Sequence, residues 1–148
     1  MKENWPIARD FTLKHEGIRS NDSADPGGDT KWGIARNMHP EITETQWENW
    51  TFEDSVNKLK SDYWDAMGCD DLPYPMDCGM FDTAVNPGPG AARSMKAACN
   101  GDFYTFMELR KAYYKRKVEE KPYKQKYLNG WLNRCNDAIK TFGEQNES

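Results

Sequence analysis

Proline and glycine punctuate this chain so often that no element can run long. "SADPGGD" at 23–29, "DLPYP" at 71–75, "NPGPG" at 86–90, Asn100-Gly101 and Pro122 each stop a helix or strand from continuing. The intervals between them carry helical spacing. In residues 6–14, Ile7 and Phe11 stand four apart with Ala8 beside them, and Pro6 suits a first helical turn. "TFED" at 51–54 offers Thr51 as N-cap and Asp54 three residues on. Behind it Val56, Leu59, Tyr63 and Trp64 form an apolar stripe. Further helices are expected over 76–85, over 91–99, in "DFYTFMELRKAYYKRKVEE", and in "YKQKYLNGWLNRCNDAIKTF" after Pro122. Only 17–30 breaks the rhythm. Rich in Gly, Asp, Asn and Ser, it reads as a hairpin-like excursion of short polar strands. The expected class is α+β, predominantly α-helical, with one small β excursion near the N-terminus.

Composition narrows the function classes. Hydrophobic residues make up 37% of the 148, and the aromatic share of 13% includes six Trp, enough for a core and too many for a disordered chain. No stretch approaches the ~18 consecutive apolar residues of a membrane span, so stable membrane insertion is not expected. "MKENWPIARDF" has no apolar signal core, and the expectation is synthesis in the cytoplasm without a signal peptide. Residues 1–90 hold 8 Lys/Arg against 17 Asp/Glu, whereas 91–148 hold 12 against 7. The basic run "RKAYYKRKVEEKPYKQKY" is read as a solvated helical face; no nucleic-acid motif accompanies it, so no nucleic-acid partner is expected. Cys69, Cys78, Cys99 and Cys135 have no zinc-site spacing and are expected to be reduced, mostly buried thiols. The acid-rich "NDSADPGGD" fails as a calcium loop, because counting from Asn21 puts Pro26 at the sixth position and Trp32 at the twelfth. Neither a metal nor another cofactor is expected.

One stretch admits two readings. "KHEGIRSNDSADPGGDTKWGIA" is either a solvated turn-rich loop or the seat of an acid with its partners. Glycosidic cleavage needs a proton for the leaving oxygen and a second group that guides water or steadies the sugar's positive charge. Glu16 closes an apolar-faced helix, where its stem can lean on the core and its head meet a cleft. Asp25 lies across the polar turn, where it would stay ionised, and the Thr30 hydroxyl can share its water. Asp82 and Asn86, four apart at the end of a helix, are candidates for facing the same cleft, and Trp32, Trp64 and Trp131 for stacking on sugars, although tryptophan is more often core. His15 is assigned no role, because adjacent helix positions point apart.

The interval of Glu16, eight residues, Asp25, four residues and Thr30 is similar to the signature of phage-type lysozymes. "HEGIRSNDSADPGGDTKWGI" resembles the opening motif of glycoside hydrolase family 108, the phage and prophage N-acetylmuramidases. "YWDAMGCDDLP", "MFDTAVNPGPGAA" and "LNGWLNRCNDA" resemble its later blocks and its peptidoglycan-binding C-terminal extension, so the likeness runs over 7–139. Ile18 and Arg19 stand where the family usually has a second glycine and an aromatic, and the extension's Asp-Gly-x-x-Gly-x-x-Thr-like segment is absent. The resemblance implies a lysozyme-like fold with Glu16 as catalytic acid, assisted by Asp25 and Thr30; Asp82, Asn86 and Trp32 are the substrate-binding candidates that position in the sequence suggests. The same resemblance implies action on bacterial peptidoglycan at the β-1,4 bond between N-acetylmuramic acid and N-acetylglucosamine, with no cofactor, after holin-dependent release to the wall or delivery with a virion or secretion machine; a monomer is expected. A lytic transglycosylase or a non-catalytic wall-glycan binder are the alternatives. Residues 1–72 are expected to form the catalytic region, and 73–148 a helical region packed with it as the far wall of the cleft.

Overall fold

A computed structural model describes residues 1–17, 19–21 (backbone only) and 28–143. Helix α1 spans Trp5–Glu16 and carries Pro6 in its first turn, where no amide is lost to the ladder. Its buried face is Ala8, Phe11 and Thr12. Ile7 departs from the expected stripe: it is 45% exposed, because the inward face falls one position later.

Strands β1 (Arg19–Asn21), β2 (Asp29–Lys31) and β3 (Ile34–Ala35) form one antiparallel sheet in the order β1-β2-β3. Its register pairs Ser20 with Thr30 and Thr30 with Ala35. Trp32 (φ 45°) and Gly33 (φ 87°) make the two-residue turn between β2 and β3. Positive φ at both positions is the type I′ geometry, and a tryptophan in the left-handed region is strained by about 1–2 kcal/mol.

Helices α2 (Glu44–Glu48) and α3 (Phe52–Leu59) follow, and α3 widens through a π-type turn over Lys60–Asp65. Thr43 with Gln46, and Thr51 with Asp54, close reciprocal capping boxes, the second as expected from "TFED". These helices brace β2. The Ser55 hydroxyl donates to the Lys31 carbonyl at 2.7 Å, the Trp47 indole to Asp29 at 2.9 Å, and the Lys31 ammonium to the Trp47 carbonyl at 2.6 Å.

The remaining helices are α4 (Met76–Val85), α5 (Pro89–Ala98), α6 (Phe103–Glu120) and α7 (Gln125–Ala138), which continues as a π-type turn to Gly143. Helices α4, α6 and α7 lie in intervals that the Pro/Gly breaks leave open, whereas α5 starts two residues before the expected 91, inside "NPGPG", because Pro89 suits a first helical turn. Helix α4 is the centre of the fold, packed by α1, α5 and α6, and nine of its ten residues are buried. Gly79 permits the approach of α6: a Cβ there would stand 2.8 Å from the Phe103 ring. Phe81, Trp64, Phe106, Phe142, Leu59 and Met107 fill the core around it, drawn from both halves of the chain. All four cysteines are buried and free, and burial pushes the Cys69 thiol up to about 12. Among the described residues no helix is long and apolar enough to cross a membrane.

Candidate active site

Helix α1 ends at Glu16 because Gly17 takes φ 75° and cannot extend the helical path without leaving it. Three consecutive side chains at this end meet α7. Lys14 and His15 both reach Asp137, at 2.9 and 2.6 Å, and Glu16 Oε2 accepts from Arg134 Nη1 at 2.6 Å. The Asp137 carboxyl is held below its usual range: burial opposes this, and the bonds from Lys14 and His15 outweigh it. The hairpin turn closes on the other side, where a Cβ at Gly33 would lie 3.5 Å from both Glu16 Cγ and a Leu59 methyl.

Arg134 is itself fixed from below. Its Nη2 donates to Asp82 Oδ1 at 2.7 Å and its Nε to Asp82 Oδ2 at 3.0 Å, so only Nη1 remains directed at Glu16. Asp82 also accepts from Arg110 Nη1 at 2.8 Å and from the Thr12 hydroxyl at 2.6 Å. Burial alone would favour the neutral acid; Arg134 and Arg110 beside it hold the carboxyl well below the usual carboxylate range. Burial likewise opposes the charge of both arginines, and their anionic surroundings more than restore it. Arg110 continues to the Asn86 carbonyl at 2.7 Å, and the Tyr114 hydroxyl donates to Asn86 as well. Burial pushes that phenol up to about 12, which keeps it a donor. On its far side Tyr114 stacks on Trp131, with ring centroids 4.8 Å apart.

Glu16, a fifth exposed, opens into a hollow of about 320 Å³ lined by His15, Asn86, Lys126, Tyr127, Gly130, Trp131 and Arg134. A second hollow of the same volume, between Met67, Met80, Arg93 and Lys96, holds no carboxyl among its lining residues and so no acid suited to the chemistry. A carboxyl at the lip of a polar and aromatic hollow, locked in one orientation, can exchange a proton with a bound oxygen.

The sequence model described as Glycosyl hydrolase 108 matches residues 9–88, which contain Glu16. The chain belongs to glycosyl hydrolase family 108. It is therefore a glycoside hydrolase, with a lysozyme-like α+β fold. The solved structure "Structure of Brucella abortus SagA" is similar over 93% of this chain and 92% of that chain, with a TM-score of 0.76 and 19% identity, a likeness of fold. No curated protein sequence matches.

Against this family 108 frame, the expected site residues divide. Glu16 and Asn86 share the hollow. Thr30 sits half-buried in the middle of the sheet, and Asp25 and Ile18 lie outside the described residues. Trp32 is on the turn that touches Glu16, with its ring against Phe52 at 5.9 Å. Asp82 does not face the cleft: it is fully buried beneath Arg134, and its oxygens are taken by two guanidinium groups and a hydroxyl. Trp64 is core, with its indole donating to Asp70. His15 does line the hollow beside Glu16, against the expectation that neighbouring positions diverge.

Arg110 and Arg134 were not anticipated in any role, and Arg110 falls in the run read as solvated; it is fully buried. A cue did exist. An aspartate inside the apolar run "MFDTAV" has to be paired, since charged side chains are almost never buried alone.

Proposed function

We propose that the protein is an N-acetylmuramidase that hydrolyses the β-1,4 bond between N-acetylmuramic acid and N-acetylglucosamine in bacterial peptidoglycan, serving cell-wall lysis. The observation that carries this reading is Glu16 at the end of α1, oriented by Arg134 and opening into the hollow that the second half of the chain completes.

In this reading Arg134 engages Oε2, and Oε1 presents the proton to the glycosidic oxygen as the C–O bond breaks. Asp25, with Thr30, steers a water molecule to the anomeric carbon from the opposite face and takes its proton, so one proton enters the leaving group and one returns from water. Glu16 is then reprotonated from solvent, and no metal enters any step. The asparagine Asn86 and the aromatic wall hold the flanking sugars. The substrate reaches the enzyme after its release to the wall.

The test is mass spectrometry of muropeptides released from purified sacculi by the native protein and by Glu16→Gln. The expected products carry a free reducing end, and the substitution is expected to abolish their release with only a modest fall in Tm, because Asp82 still pairs Arg134. Anhydro products would replace the reading with a transglycosylase, and sustained release by Glu16→Gln would remove Glu16 from the acid's role.

A further inference from the structure

Helix α7 carries a glycine that its own packing does not explain. Gly130 lies in the interior of Gln125–Ala138, where glycine is the least favourable residue after proline. Its φ is ordinary for a helix. A Cβ built there meets no described atom within 4 Å, so no neighbour forbids a side chain. This contrasts with Gly79, where Phe103 leaves no room. Gly130 is exposed, and it lines the hollow that holds Glu16.

Its neighbours on that face are chemically specific. Arg134 stands four residues on, one turn along the same face, and donates to Glu16. Tyr127 stands three residues back, and its ring is 5.6 Å from that of Trp131 at 31°. Trp131 is fixed from behind by Tyr114. The missing side chain therefore leaves a shallow recess on the helix, bounded by an aromatic pair at one end and the Glu16–Arg134 pair at the other.

We propose that this recess is a sugar subsite next to the scissile bond. A pyranose ring has flat C–H faces and a rim of hydroxyl and acetamido groups. Here one C–H face lies over the Gly130 backbone and the Tyr127–Trp131 edge, while the rim reaches Asn86 and Lys126. The glycine is the specificity element. Any larger residue would fill the space that the ring occupies. Occupancy carries the neighbouring glycosidic oxygen to Glu16. The assignment rests on the muramidase reading for the identity of the bond that is cut, and not for the binding of the ring.

Three variants test it: Gly130→Ala, Gly130→Leu and Gly130→Leu in a Glu16→Gln background. Readouts are thermal unfolding, KM and kcat on solubilised peptidoglycan, and binding of an N-acetylglucosamine tetrasaccharide by calorimetry. Gly130→Ala is expected to raise Tm by about 2–4 °C, because alanine favours the helix, and to raise KM several-fold. Gly130→Leu is expected to keep or raise Tm and to lose ten-fold or more in kcat/KM. In the Glu16→Gln background it is expected to weaken tetrasaccharide binding by a similar factor, a result that does not depend on Glu16 being the acid. Wild-type KM and binding in Gly130→Ala and Gly130→Leu, with the Tm gain intact, would overturn the subsite. Should the leucine variant not fold, the alanine variant decides alone.

Discussion

Two clusters of opposite charges in this molecule serve different ends. Around Asp82, two arginines and Thr12 converge in a space closed to solvent, and every contact lies between 2.6 and 3.3 Å. Around Lys58, the carboxylates of Glu41 and Asp62 approach at 2.6 and 3.2 Å, with His39 held by Glu41 at 3.2 Å and by the Tyr63 hydroxyl at 2.8 Å. There Glu41 keeps 52% of its side-chain surface in water. His39, Glu41 and Asp62 are close enough to hold a cation, but Lys58 already sits between the two acids and offsets one of their two charges. A salt bridge in water is worth ~0–1 kcal/mol, whereas a buried one costs its full desolvation once a partner is missing. The buried cluster therefore dictates geometry at the hollow, and the exposed one trims a surface.

The sharpest way to break this contrast is to remove the central acid. Asp82→Ala leaves Arg110 and Arg134 buried with one fewer anion each, and is expected to destabilise by about 3–5 kcal/mol, a fall in Tm on the order of 10 °C. Wall lysis is expected to fall more steeply than stability, because Arg134 loses the two bonds that aim it at Glu16. Thermal unfolding and turbidity loss of sacculi, measured on one preparation, read both.

A smaller effect comes from pH. The folded-state pKa of Asp82 lies below its ordinary value of 3.8, so the stability it contributes is complete above that value and is lost as pH falls beneath it. Glu41 behaves likewise: the hydrogen bond from Lys58 holds its carboxyl at about 2, and its contribution fades between pH 4.5 and 2. Unfolding curves recorded from pH 7 to pH 2 are expected to bend below about pH 4, and the bend is expected to shrink in Asp82→Asn far more than in Glu41→Gln. The smallest effect is expected from Glu41→Ala at neutral pH, less than ~1 kcal/mol and declining further in 1 M salt. A loss comparable with that of Asp82→Ala would erase the distinction between the two clusters.

The same contrast explains what could be read in the sequence. Helix ends are local events, and "TFED", "NPGPG" and Asn100-Gly101 announced them, so α3 and α4 lie where spacing put them, and α5 starts two residues early. Glu16 was legible for a related reason: a glutamate before Gly17 at the end of an apolar stripe is a positional signal contained in a few residues. The buried ion network is not local. Thr12, Asp82, Arg110 and Arg134 come from four helices, and nothing in "ELRKAYYKR" says that its first arginine faces inward while Lys115 and Arg116 face water. The spacing of Asp82 and Asn86, four apart at the end of a helix, points to a shared face but not to its direction, and Asp82 turns inward. It acts beneath the site rather than in it. Ile7 shows the same limit on a smaller scale, because a stripe of two residues does not settle helical phase to within one position.

Glu16 and Arg134 are separated by 118 positions along the chain. On a ribosome, then, Glu16 is made first and waits for those intervening residues before the side chain that orients it emerges. A chain halted within α6 would carry the whole stretch matched by the family, and Glu16 with it, but neither the arginine clamp nor the Tyr127–Trp131 wall. This order of synthesis leaves any chain that stops short of α7 without the finished site.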